Sequence, residues 1–272
     1  MGIVNVTPDS FSGVGHHADP FLAITHAHQL LKEGADLLDV GAESSRPGAQ
    51  PVPQDLELQR LLPVIKELVT WGVPISLDSY KPEVMQRMLD LGVDIINDIY
   101  ALRWTSGPQG LTGTQVVTQH PSCGVCLMHM QGEPQSMQLS PMQGDVVAQV
   151  LSFLKTRTEA LLELGMDPSR VVWDPGIGFG KTAPQNFELL KSQSELLEGV
   201  FPLLVGWSRK SSLAAVVGPV HEIAGESTDG VHPRLAASLA AAVLAAERGA
   251  RVVRVHDVRP TVEALKVWGA IQ

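Results

Sequence analysis

At 272 residues, 44 % hydrophobic and 18 % charged, the chain has the composition of a folded globule with a sizeable core, not of a disordered segment. A formal charge of −9 argues against nucleic acid as a partner, since phosphate backbones are met by clustered Lys and Arg. The opening Met1-Gly2-Ile3-Val4-Asn5 lacks the basic start of a signal peptide, no apolar run reaches the roughly 18–20 residues needed to span a bilayer, and two cysteines make no disulfide framework, so no membrane association and a cytoplasmic location are expected.

Short apolar, β-branched runs alternate with longer amphipathic stretches from end to end. The predicted strands, in chain order, are Gly2–Val6, Leu37–Val40, Pro74–Asp78, Asp94–Ile99, Gly124–His129, Arg170–Asp174, Pro202–Gly206 and Arg251–His256. Between them, apolar residues recur at three- and four-residue spacing in Phe21–Leu31, Leu56–Leu68, Glu83–Leu91, Val146–Leu164, Ala183–Leu197 and Leu235–Arg248, and Pro260–Trp268 supplies a last helix. Strict βα alternation implies a parallel sheet covered by helices. Eight strands in this length, without a low-complexity linker, predict one domain over residues 1–272: an α/β-class (β/α)8 TIM barrel.

Such barrels carry their sites at the C-terminal ends of the strands. Polar residues collect there: Asn5, Asp39, Asp78, Asn97 with Asp98, His129, Asp174, Ser208-Arg209-Lys210, and Arg254 with His256. Any one alone reads as well as a helix cap or a satisfied core group. A whole ring of carboxylates, amides and cations does not suit a packed core, because burying unpaired charge costs several kcal/mol per group. The ring is the candidate site.

These residues sit in longer runs. Met1-Gly2-Ile3-Val4-Asn5-Val6-Thr7-Pro8-Asp9-Ser10-Phe11-Ser12 comes first, then Asp39-Val40-Gly41-Ala42-Glu43-Ser44-Ser45-Arg46-Pro47-Gly48 and Ser76-Leu77-Asp78-Ser79-Tyr80. Ile96-Asn97-Asp98-Ile99, Leu127-Met128-His129-Met130 and Asp174-Pro175-Gly176-Ile177-Gly178-Phe179-Gly180-Lys181 follow, and then Gly206-Trp207-Ser208-Arg209-Lys210-Ser211 and Arg254-Val255-His256-Asp257-Val258. In this order and spacing they resemble the dihydropteroate synthases along nearly the whole chain. The resemblance implies condensation of 6-hydroxymethyl-7,8-dihydropterin pyrophosphate with 4-aminobenzoate, assisted by Mg²⁺, in folate biosynthesis.

By the same resemblance, Asp174 takes the guanidine-like edge of the pterin in a charge-assisted pair, with Asp78 and Asn97 completing a polar cradle. Lys210 binds the ring carbonyl and lies against the ring face, and Ile99, Met130 and Phe179 wall the pocket. Pyrophosphate is met by Asn5, Ser45, Arg254 and His256, with Asn5 also a ligand of Mg²⁺. Arg46 and Ser208 lie at the 4-aminobenzoate. Lys210, Arg254 and His256 are the expected catalytic residues, and no covalent nucleophile is needed. The resemblance also implies a homodimer through the later helices, to which the Ala-rich Leu235–Ala246 surface is suited; sulfonamides mimic 4-aminobenzoate in this family.

Three features depart from the family pattern. Gly13 stands where the first loop usually has Asp, Ser45 replaces Thr but keeps the hydroxyl, and the chain begins at the first strand without the usual preceding segment. The last predicts reduced stability with an intact pocket. Two look-alikes are set aside. Gly180-Lys181-Thr182 ends like a P-loop, but Pro175 stands at its leading glycine position, and G-x-G-x-x-G fails at Lys181. Cys123-Gly124-Val125-Cys126 has redox spacing, but it leads into a strand and has no second pair to complete a zinc site. The rival readings are a methyltetrahydrofolate methyltransferase, which needs no pyrophosphate site, and a non-catalytic pterin-binding paralogue.

Overall fold

The protein is described by a computed structural model covering residues 1–7, 19–105, 110–197, 200–218 and 232–272. Its strands are β1 (Gly2–Asn5), β2 (Leu38–Gly41), β3 (Ile75–Asp78), β4 (Ile95–Asp98), β5 (Gly124–Met128), β6 (Val171–Asp174), β7 (Leu203–Val205) and β8 (Ala250–Val253). All neighbours pair in parallel in the order β1 to β8. The sheet closes just past β8, where Val255 N donates to Met1 O (3.0 Å) and Ile3 N donates to Val255 O (3.1 Å). Closure removes both sheet edges and yields the (β/α)8 barrel.

The described helices are α1 (Pro20–Lys32), α2 (Gln54–Leu68), α3 (Pro82–Leu89), α4 (Gly113–Gln119), α5 (Val146–Leu162), α6 (Ala183–Lys191), α7 (Gln193–Leu196), α8 (Ser211–Val217), α9 (Leu235–Glu247) and α10 (Val258–Gly269). Their starts follow local chemistry. Asp19 accepts from Phe21 N ahead of Pro20 at α1, and Thr112–Gln115 and Thr182–Gln185 form reciprocal capping boxes at α4 and α6. The strands end one to three residues inside several predicted limits, and the stretch predicted as one helix over Ala183–Leu197 breaks at Ser192. The short α4 and α8 span seven residues each, too few to show a 3.6-residue period in the sequence.

Side chains alternate across each strand. Val4, Val40, Leu77, Ile96, Leu127, Trp173 and Val205 join the main core beneath the helices. The neighbours of opposite parity line the barrel interior, with Met1, Cys126 and Leu204 forming an apolar cluster there. The polar interior residues Asp39, Asp78, Asn97, Asp174 and Arg254 thereby reach one mouth. Asn5, Gly41, Asp78 and Asn97 lie on one continuous register line across β1 to β4.

Candidate active site

Arg254, one residue past β8, is held between two carboxylates. Its Nε donates to Asp39 Oδ2 (2.5 Å), and a terminal guanidinium nitrogen donates to Asp78 Oδ2 (2.7 Å). Asp39 is wholly buried and also accepts from Asn97 Nδ2 at 3.2 Å. Burial works against the guanidinium charge, but Asp39 and Asp78 raise its pKa above the ordinary value, so it stays cationic. Asp78 moves the other way: burial pushes its carboxyl up to about 7, Arg254 opposes, and Asp39 adds to the rise. The sequence places Asp39 at the rim without indicating a partner; in the fold it anchors the arginine.

Opposite lies Asp174, at the end of β6. Gly176, at φ +69°, turns its N–H back to Asp174 Oδ1 (2.7 Å). A Cβ on Gly176 would fall 1.9 Å from His129 O, and one on Gly180 2.2 Å from Gln131 O, so the loop after β6 needs glycine to lie this close to the loop after β5. Burial raises the Asp174 pKa, while the Gly176 N–H and the charges of Lys210 and Lys181 hold it down. Lys210 Nζ stands 4.3 Å from the centroid of the Phe179 ring, and burial lowers its pKa to about 8. Ile99, Met130 and Phe179 share one apolar cluster with Tyr80, Met128 and Met137. A flat ring entering here meets a carboxylate at its edge, a cation at its face and apolar walls.

Ser208 and His256 form a pair beside this pocket. Ser208 Oγ accepts from His256 N (3.1 Å) and lies 3.0 Å from His256 Nδ1. Burial, then the charges of Arg209 and Arg254, lower the His256 pKa to about 3, so its imidazole is neutral near pH 7. Arg209, between Ser208 and Lys210 in sequence, adopts φ +61° and turns away to Asp257, donating at 2.5 and 3.0 Å. That left-handed residue lets Ser208 and Lys210 serve one site while Arg209 braces the frame.

Ser45 and Arg46 lie in the loop after β2 and make no hydrogen bond or ion pair with the polar ring among the described residues, although the Arg46 charge helps to lower the pKa of both Lys210 and His256. The base of this loop is tied down. Glu43 accepts from Val52 N (2.9 Å), Tyr80 OH (2.9 Å) and Lys81 Nζ (2.5 Å), and Lys81 also pairs with buried Glu57. The sequence offered no pattern for this network, because its members come from three separate segments. Asn5 ends β1, half-buried at the mouth. Gly13 lies outside the described residues.

Besides Arg209, two members of the expected ring face the other way. Asp98 accepts from Tyr100 N and Leu102 N, both at 2.7 Å, bracing Ala101 and Leu102 at φ +50° and +62°. The His129 ring packs edge-on against Phe153 of α5 at 5.0 Å, and its Nδ1 is buried without a hydrogen-bond partner. Strand alternation explains both. Asn97 and Met128 point into the barrel, so the residues after them point out.

The chain matches the family model described as "Pterin binding enzyme" over residues 1–256. It is 45 % identical over 276 residues to the dihydropteroate synthase of Neisseria meningitidis serogroup B, covering 100 % of this chain and 92 % of that protein. To the Escherichia coli K12 enzyme of the same name it is 42 % identical over 270 residues, covering 98 % and 89 %. A Xanthomonas albilineans dihydropteroate synthase structure with 4-aminobenzoic acid superposes with a TM-score of 0.86 at 44 % identity, covering 100 % of this chain and 92 % of that one. One from Burkholderia cenocepacia, complexed with 7,8-dihydropteroate, gives 0.84 at 43 % identity, covering 99 % and 90 %. The sequence, the barrel and the residues at its mouth therefore agree, and this chain belongs to the dihydropteroate synthases of the pterin-binding enzyme family.

Proposed function

We propose that this chain condenses 6-hydroxymethyl-7,8-dihydropterin pyrophosphate with 4-aminobenzoate, releasing 7,8-dihydropteroate and pyrophosphate. The observation that carries this reading is the convergence of Asp174, Lys210, Phe179 and Arg254 on one barrel mouth. Asp174, with Asn97 and Asp78, would accept from the guanidine-like pterin edge, and Lys210 would donate to the ring carbonyl from above Phe179. Ile99 and Met130 would exclude water from the ring.

Substitution occurs at the exocyclic methylene. Its C–O bond to pyrophosphate would break ahead of attack, leaving positive charge spread from the methylene into the ring; the amine of 4-aminobenzoate would then form the C–N bond and give up a proton to the released pyrophosphate. Arg254 and the neutral His256 would donate to the departing pyrophosphate, with Ser45 alongside. Arg46 would face the aminobenzoate carboxylate, and Ser208 would keep His256 oriented while lying near the second substrate. Arg254 is already shared by Asp39 and Asp78, so it would offer pyrophosphate only its remaining N–H groups.

Mg²⁺ belongs to this reading. Among the described residues no cluster of three or more His, Cys, Asp or Glu is arranged to hold a metal ion. The amide oxygen of Asn5 suits an ion carried in by the substrate, since Mg²⁺ keeps several waters and leans on phosphate oxygens. Such an ion would neutralise pyrophosphate charge. A cytoplasmic homodimer completes the reading: no described helix is long and apolar enough to cross a membrane, and Val216 and Val217 on α8 and Leu244 on α9 are exposed.

Incubation with the pterin pyrophosphate, 4-aminobenzoate and Mg²⁺ tests this directly. Metal-dependent dihydropteroate that is lost in Lys210→Ala is the expected result. Pterin binding without product would point instead to a non-catalytic paralogue.

A further inference from the structure

The sequence places Lys181 at the end of the run from Asp174 and within two failed nucleotide-binding motifs, with no role of its own. In the fold its side chain turns inward and is 2 % exposed. Its Nζ donates to three main-chain carbonyls, His129 O (3.2 Å), Gly176 O (3.0 Å) and Phe179 O (3.2 Å). None of these partners is a carboxylate. A buried ammonium is expensive to keep unless something compensates it. These three carbonyls belong to the turn after β5 and to both ends of the glycine loop that separates Asp174 from Phe179. Lys181 thus ties together the backbone behind the pterin edge and the pterin wall, where Gly176 and Gly180 approach the neighbouring chain most closely.

We propose that Lys181 is a positioning residue for pterin recognition: its ammonium clasps the loop that carries Asp174 and Phe179, and its charge keeps the Asp174 carboxylate ionised to receive the ring. This rests on the pterin reading of the site. Recognition of a guanidine-like edge needs the carboxylate form, because a protonated acid cannot accept two N–H bonds in that pair. The charged groups that act on Asp174 are Lys181 ahead of α6, Lys210 ahead of α8 and Arg254 after β8. Asp39 and Asp78 lie across the mouth on β2 and β3, and the Cys126 thiol on β5 is pushed well up by burial and is neutral. All of these except Lys181 are shared by the natural protein and a Lys181 variant, so a ratio of the two affinities cancels them. Burial lowers the pKa of Lys181 itself to about 7, so its charge fades as pH rises above neutral.

The test is calorimetric binding of 6-hydroxymethylpterin, which carries no pyrophosphate, to the natural chain and to Lys181→Met from pH 6 to 9. The variant should bind about tenfold more weakly at pH 6, where the natural lysine is charged, a loss of about 1.4 kcal/mol. That deficit should shrink several-fold by pH 9, where Asp174 ionises unaided and the natural lysine has lost its proton. A deficit constant with pH would reduce Lys181 to packing, and equal affinities throughout would remove its role; either overturns the proposal. If Lys181→Met does not fold, Lys181→Gln keeps N–H donors without the charge, and the same comparison decides. Absence of pterin binding by the natural chain would overturn the pterin reading itself, an outcome distinct from a failure of the Lys181 assignment alone.

Discussion

Arg254 and Asp39 meet at 2.5 Å across the ends of the chain, 215 residues apart in sequence, and Asp39 is fully buried. Because Asp78 takes a second guanidinium nitrogen at 2.7 Å, two carboxylates share one arginine at the mouth of the barrel. Arg254→Ala would leave Asp39 without its cation. The expected loss is about 3 kcal/mol of stability, the lower end of the range for breaking a buried pair because Arg254 is 23 % exposed. Urea denaturation measures it, and an unchanged midpoint would show that the pair does not hold the mouth.

Asp174→Asn exchanges the charge at the pterin edge for an amide. Pterin affinity should fall by about 2–3 kcal/mol, the worth of a charge-assisted pair. Calorimetry with 6-hydroxymethylpterin is the measurement, and unchanged affinity would sink the assignment of Asp174.

Gly176→Ala places a Cβ where His129 O already stands, at 1.9 Å, on a backbone held at φ +69°. Strain and clash together should cost about 3 kcal/mol of stability and displace Asp174, so pterin affinity should fall with the melting temperature. Gly72→Ala, at φ +70° with nothing within 4 Å of its Cβ, is the control for backbone strain alone.

Tyr80→Phe removes the hydroxyl that donates to Glu43 at 2.9 Å and frees one tie at the base of the Ser45–Arg46 loop. The expected change is a rise in KM for 4-aminobenzoate by about 1 kcal/mol of binding, with pterin affinity nearly unchanged. Equal changes for both substrates in steady-state kinetics would place the effect elsewhere.

His129 is neutral and buried, with a pKa lowered to about 3 by burial and then by the charges of Lys181 and Arg103. The unfolded chain protonates this histidine near pH 6.5, so the native state binds fewer protons between about pH 6.5 and 3, and stability falls as pH drops through that window. His129→Phe keeps a ring against Phe153 and removes the titration. Its stability should decline less steeply in acid, by up to about 1.4 kcal/mol per pH unit. Identical slopes in denaturation series across pH would refute this.

Much of this was legible in the sequence. Short apolar, β-branched runs marked all eight strands and a 3.6-residue period marked most helices, because a parallel strand buried on both faces must be apolar nearly throughout. Strand ends then placed Asn5, Asp78, Asn97, Asp174 and Arg254 at the mouth, and the motif runs pointed to the family. The same alternation, followed one residue further, would have turned Asp98 and His129 outward.

What only the tertiary structure decided is which of these groups share charge, and with whom. Pairing of Arg254 with Asp39 and Asp78, of Ser208 with His256, and of Glu43 with Tyr80 and Lys81 joins segments with no common period. Their partners are set by barrel closure and register, not by local propensity. The inward turn of Lys181 is of the same kind. A lysine beside a helix start is ordinarily solvated, and only the glycine loop lying against the turn after β5 brings three carbonyls to its ammonium. Local sequence determines the elements because periodicity and capping act within a few residues; closure of the sheet sets the electrostatics of the site because charge acts across space between segments remote in the chain.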